Sequence, residues 1–134
     1  FEHLATIIDG ASARDRLGVC LDTCHLLAAG YDIALEQGYA DTFDAFESLI
    51  GLDRLHLLHL NDSKFACGSR RDRHDHIGRG WVGLKTFARL LGDPRLAGLP
   101  MVLETPKDNR QNPAATTPDP ADLRNLQALR DLMG

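Results

Sequence analysis

Six side chains in this sequence carry donors that a metal centre or a hydrolase needs: Asp22, His25, His59, Asp72, His74 and Glu104. All offer oxygen or nitrogen, a mixture that suits Zn2+ in a catalytic site, or Mn2+ and Fe2+ in a related one. Asp22 and His25 form a DxxH pair, which puts both donors within about one turn of a strand end. Asp72 and His74 form a DxH pair, whose side chains share one side of an extended loop. Either pair alone is a weak signal, because a single histidine is more often a surface or helix-packing residue; His3, His56 and His76 are read that way. His56 stands three residues before His59, so on a strand the two point to opposite faces and only one can join a site. Cys20 and Cys24 read as small buried packing residues. Between Lys64 and Arg79 the basic residues Lys64, Arg70, Arg71, Arg73 and Arg79 outnumber the acids Asp72 and Asp75. Set among Gly68, Ser69 and Gly78, they look more like phosphate contacts than like solvated loop charges.

These donors need elements to position them. Leu4, Ile7 and Ile8 suggest an opening helix that stops near Gly10. LGVCLD (17–22) is a short apolar run closed by an acid, as expected for a strand buried in a parallel sheet. HLLAAG (25–30) then reads as a short helix. DTFDAFESLIG (41–51) is an amphipathic helix with an Asp or Thr cap, and RLHLLHLND (54–62) is a second buried strand. GLKTFARLLG (83–92) is helical up to its glycine. LPMVLET (99–105) is a third strand, followed by a Pro-, Asn- and Thr-rich loop over 106–120 and a closing helix, PADLRNLQALRDLM. Each strand therefore ends in polar groups: Asp22 with His25, His59 with Asn61 and Asp62, Glu104 with Thr105. In parallel sheets and barrels the active groups collect at those carboxyl ends. The fold class is α/β. A closed (β/α)8 barrel takes about 250 residues, whereas 134 residues supply about three β/α units plus a leading helix; the chain has the layout of the C-terminal part of such a barrel.

Composition narrows the functions. No stretch approaches the ~20 apolar residues of a membrane span, and FEHLATIIDG lacks the basic and apolar parts of a secretory signal. The first residue is Phe1 rather than Met, so the expectation is that the natural start lies upstream. Three cysteines without a CxxC pair fit a reducing compartment, with cytoplasm the expected location. A net charge of -4 argues against a generally basic nucleic-acid binder, so such a role rests on the local basic cluster.

GVCLDTCHLLAAGYD (18–32), HLNDSK with GSRRDRHDHIGRG (59–64 and 68–80) and LETP (103–106) resemble the signatures of endonuclease IV, the family 2 apurinic/apyrimidinic endonucleases. FEHLATIIDG is similar to that family's helix just after the midpoint of its barrel, and the resemblance runs over essentially the whole chain. It implies that residues 1–134 are the C-terminal portion of a single TIM-barrel domain whose N-terminal half lies outside this sequence. It implies a deoxyribonuclease IV of base excision repair, cutting double-stranded DNA 5′ to abasic sites with three clustered zinc ions, Mn2+ being an alternative metal. His25, Asp72 and His74 would hold one zinc. Asp22, His59 and Glu104 would hold a second and form the catalytic centre, with a bridging glutamate from the first half of the barrel. The third ion's ligands lie outside this sequence, so the isolated segment is expected to be inactive. Lys64, Ser69, Arg70 and Arg73 would grip DNA phosphates. The full-length protein would be a bacterial-type cytoplasmic monomer with nucleoid-associated activity and no membrane attachment.

Two other readings compete. A divalent-metal sugar isomerase or epimerase of the same architecture explains the donors but leaves the basic loop unused, and its turnover would be insensitive to salt. An inactive fragment or metal-binding remnant is the other.

Overall fold

The computed structural model of the chain describes residues 1–108 and 117–134. Helix α1 (Glu2–Gly10) leads into strand β1 (Val19–Asp22) and helix α2 (Thr23–Ala29). Helix α3 (Glu36–Leu49), strand β2 (Leu55–His59) and the two-residue strands β3 (Asp62–Ser63) and β4 (His74–Asp75) follow. Helix α4 (Leu84–Gly92), strand β5 (Met101–Val102) and helix α5 (Pro120–Asp131) complete the order. β1, β2 and β5 form one parallel sheet in that order, as the strand–helix alternation implies, while β3 and β4 pair antiparallel as a separate ribbon.

Sheet register settles which residues face the site. Leu21 pairs with Leu58 and Leu58 with Met101, on the face that packs against the helices with Leu27, Phe43, Phe46, Phe87 and Leu90. Side chains alternate along a strand, so Cys20 and Asp22, Leu57 and His59, and Val102 and Glu104 turn to the other face. On that face Cys20 pairs with Leu57, and one step nearer the carboxyl ends Asp22 pairs with His59 and His59 with Val102, with Glu104 two residues further on. Cys20 is consequently exposed, which corrects the expectation that it packs inside, whereas Cys24 is fully buried on α2 as expected.

Local chemistry explains most boundaries. α2 starts at once after β1 because Asp22 caps it, its Oδ1 accepting from the backbone N–H of Cys24 (2.8 Å) and His25 (3.2 Å). α3 begins five residues before the expected start at 41, at Glu36. Gly38 hides this turn from a propensity reading, yet a Cβ there would collide with the Asp32 carbonyl, so the close approach demands glycine, and the Tyr39 ring packs at a tilt against Phe43 to anchor the turn. β5 covers only two residues of the expected 99–105. Of the expected 106–120 loop, residues 109–116 lie outside the described residues. Among the described residues no helix is long and apolar enough to cross a membrane.

The ribbon β3–β4, which the sequence does not reveal, is organised by Asp62. Its carboxylate is fully buried and accepts from the backbone N–H of Ser63, Gly78 and Val82 at 2.8–2.9 Å and of Gly83 at 3.4 Å. A buried charge is stable only with such donors around it. Gly80 crosses so closely that a Cβ would strike the Ser63 carbonyl and the Asp62 carboxylate. Asp62→Ala should therefore lower unfolding free energy by at least about 2 kcal/mol, because several buried N–H groups lose their acceptor together. Urea denaturation measures this, and a change below about 0.5 kcal/mol would show that the loop does not depend on Asp62.

Candidate metal centre

All six sequence-derived donors converge at the carboxyl end of the sheet. Asp22 sits at the end of β1 and His25 in the first turn of α2. His59 ends β2, His74 opens β4 with Asp72 just before it, and Glu104 lies two residues beyond β5. They form two sets, His25–Asp72–His74 and Asp22–His59–Glu104, each with its three donor atoms within 4.8 Å of one another. In the first set His25 Nε2 lies 3.0 Å from Asp72 Oδ1, His74 Nε2 3.3 Å from the same oxygen, and the two imidazole nitrogens 3.5 Å apart. In the second, His59 Nδ1 lies 2.9 Å from Glu104 Oε2 and 3.6 Å from Asp22 Oδ2. Ligand atoms on a tetrahedron of ~2.1 Å radius stand ~3.4 Å apart. Both sets have that spacing.

The sets touch. Asp22 Oδ2 is also 3.6 Å from His74 Nε2, so one carboxylate oxygen faces a histidine of each set. The tautomer of His74 follows from its partner: its Nδ1 lies 3.0 Å from the Glu104 carbonyl, which can only accept, so Nδ1 carries the hydrogen and Nε2 presents its lone pair to the site. Charge points the same way. Among the described residues the ion pairs of Asp22, Asp72 and Glu104 run only to histidines, so three carboxylates converge with no Lys or Arg within ion-pair distance of them. A divalent cation fits both the donor geometry and this charge. Cys24, with Asp22 and His74, makes a third possible grouping. Burial pushes the Cys24 thiol up, which keeps it protonated and packing; burial, then the charges of Asp22 and Glu104, does the same to Cys20.

The remaining sequence candidates divide. Lys64 and Arg73 line a cleft of about 500 Å3 together with Asp72, His74, Glu104 and Lys107. Arg70 borders a separate depression with His25, Ala28, Ala29 and Asp72. Its backbone holds a positive φ of 56° and its N–H donates to the Ala28 carbonyl at 2.9 Å, tying the basic loop to the end of α2. Ser69 Oγ accepts from the Arg71 N–H at 3.4 Å, a turn contact. The Arg71 guanidinium stacks over Phe65, 4.8 Å from the ring centroid. His76 packs against Asn125 of α5 through a 3.1 Å contact, and His56 is exposed beside Gly18; neither joins the centre, in keeping with the sequence reading. Sequence reasoning left Lys107, Asn61 and Asp62 unassigned. Lys107, which pairs with Asp122, gives no sequence signal, whereas two polar residues closing an apolar strand run in HLND were a usable sign.

Residues 1–131 match the family described as xylose isomerase-like TIM barrel, AP endonuclease 2. A probable endonuclease 4 of Geotalea daltonii is 48% identical over 134 residues, covering 99% of this chain and 44% of the relative. Its counterpart in Geobacter sulfurreducens is 49% identical over 133 residues, covering 99% of this chain and 42% of the relative. The crystal structure of endonuclease IV from Thermus thermophilus superposes with a TM-score of 0.79 at 37% identity, covering 98% of this chain and 43% of that one. The chain thus spans less than half the length of the curated relatives it matches. The three parallel strands, their helices and the family match agree with a partial barrel, and the chain belongs to the AP endonuclease 2 family of xylose isomerase-like TIM barrels.

Proposed function

We propose that this chain supplies the C-terminal metal-binding strand ends of a single barrel domain that hydrolyses DNA 5′ to abasic sites in base excision repair. The observation that carries the proposal is the convergence of three histidines and three carboxylates into two adjoining donor sets beside a cleft lined by basic residues. Zn2+ is the proposed ion and Mn2+ the alternative, since the sets are made of imidazole and carboxylate. His25, Asp72 and His74 would hold one ion, and Asp22, His59 and Glu104 another. Such ions, when bound, supply Lewis acidity and lower the pKa of water towards neutrality.

The chain's own residues do the rest. Asp22 faces both sets and keeps them close, and the Glu104 carbonyl holds the tautomer of His74. Lys64 and Arg73 hold a phosphate against the centre in the cleft and Arg70 holds the strand at the neighbouring depression, with Ser69 shaping the turn beside it. Contacts of this kind ignore base sequence, which suits a lesion that can arise anywhere. An abasic sugar has no base to unstack, so it reaches a recessed centre at low cost. The names of the relatives support an endonuclease over a sugar isomerase. The protein in full is proposed to work as a cytoplasmic monomer on double-stranded DNA. Cleavage of an abasic duplex by this chain fused to the N-terminal portion of the Geotalea daltonii relative, abolished by chelation and restored by Zn2+, tests the proposal; cleavage indifferent to chelator would sink it.

Binding and chemistry separate by mutation. In that fusion, Arg70→Ala combined with Arg73→Ala should weaken DNA binding and reduce the slope of log K against log salt by about 0.9 for each phosphate left without its cation, with metal content unchanged. An unaltered slope would mark both arginines as solvated charges, and salt-independent binding overall would favour the sugar-isomerase alternative.

A further inference from the structure

Asn61 is completely buried between β2 and β3, and each of its polar groups is engaged. Its side-chain Nδ2 donates to Asp22 Oδ2 at 2.7 Å, and its Oδ1 accepts from the backbone N–H of Glu104 at 2.8 Å. Its backbone N–H donates to Thr23 Oγ1 (2.9 Å), which in turn donates to the Asn61 carbonyl (2.6 Å). One residue just past the middle strand thus ties together the ends of all three parallel strands. The orientation of the amide follows from its partners: a carboxylate needs the NH2 and a backbone N–H needs the carbonyl, so a flipped amide would lose both bonds.

The carboxylate of Asp22 shows the consequence. Oδ1 is taken by the two N–H groups that cap α2. Oδ2 gives one lone pair to Asn61, which leaves the other directed at His59 and His74. We infer that Asn61 is a positioning residue that acts first on one metal site: it aims Asp22 and fixes the backbone under Glu104, two donors of the Asp22–His59–Glu104 set, and reaches the His25–Asp72–His74 set only at second hand, through the contacts of Asp22 Oδ2 and the Glu104 carbonyl with His74. None of its hydrogen bonds reaches His25, Asp72 or His74. The inference rests on the metal-centre reading and adds the residue that orients one half of it, as supporting partners outside a ligand shell do.

Co2+ alone, titrated into the 134-residue chain and followed by its visible absorption, tests this. His25→Ala removes the other set and so identifies which bands belong to Asp22–His59–Glu104. Asn61→Asp keeps the shape and can still accept from Glu104, but cannot donate to Asp22; Asn61→Ala removes both bonds. Both Asn61 variants should release the Asp22–His59–Glu104 ion about 10- to 100-fold more readily in competition with a chelator, with altered bands for that ion and a clearly smaller loss of the second ion. Equal weakening of both ions would show that Asn61 is merely structural, and no change in either would show that it orients nothing; both overturn the inference. If the unaltered chain takes up no cobalt at all, the metal-centre reading fails, and this inference with it.

Discussion

Replacing His74 with alanine is expected to remove one zinc ion from the chain and to lower cleavage of abasic DNA by at least about 100-fold in the fusion with a relative's N-terminal portion. His74 is the donor whose loss does most damage. Its Nε2 completes the set with His25 and Asp72 and also faces Asp22 Oδ2, the oxygen shared with the second set. Its Nδ1 is fastened to the Glu104 carbonyl, so the substitution also releases the backbone beside another ligand. Three carboxylates would then share fewer cations, and their mutual repulsion would oppose reassembly of the centre. Zinc analysis of the purified variant decides the matter: a stoichiometry equal to that of the unaltered chain would show that His74 is not a ligand. His76→Ala, two residues away, is the control, since that ring packs against Asn125 and should leave the metal content intact.

The second large effect concerns cleavage by the 134 residues alone. They are expected to bind metal and yet not to cut an abasic duplex, and joining them to the N-terminal portion of an endonuclease 4 relative should restore cutting. Two features lead to this expectation. β1 and β5 are the outer strands of a three-stranded sheet, and on its site face Cys20 and Val102 are exposed, Val102 by 40%. Among the described residues the set Asp22–His59–Glu104 offers three side chains, and the chain matches 44% of the length of the Geotalea daltonii relative. A centre with part of its donors missing lacks the orientation of the reacting groups on which rate depends. Cutting by the chain alone at the rate of the fusion would remove the case for a shared centre.

How much of this was legible in the sequence differs from element to element. The buried strand runs, their order with the helices and the polar residues closing each run are local signals, and they led to the parallel sheet, the carboxyl-end location of the centre and all six donors. The separation of His56 from His59 followed from the two-residue period of a strand alone. The start of α3 was hidden because Gly38 serves a close approach to Asp32 that no local propensity expresses. Cys20 was misplaced for a related reason: a short apolar run does not say which face of a sheet its helices cover.

What the sequence determined by itself was the donors, the elements that carry them and, through the length of its motifs, the family. Tertiary structure alone decided the pairing of those donors. Asp72 and His74 stand two positions apart in the chain but far from His25, and only the fold of the basic loop around the buried Asp62 carboxylate brings them within 3.5 Å of it. It likewise decided that Asp22 stands between the two sets and that Asn61 joins Asp22 to Glu104, 82 positions apart in sequence number (104 minus 22). The physical reason is that a metal set is defined by distances of a few ångströms between atoms on different strands. Those distances are fixed by strand register and by hydrogen bonds to buried polar groups, neither of which leaves a periodic trace in the order of residues.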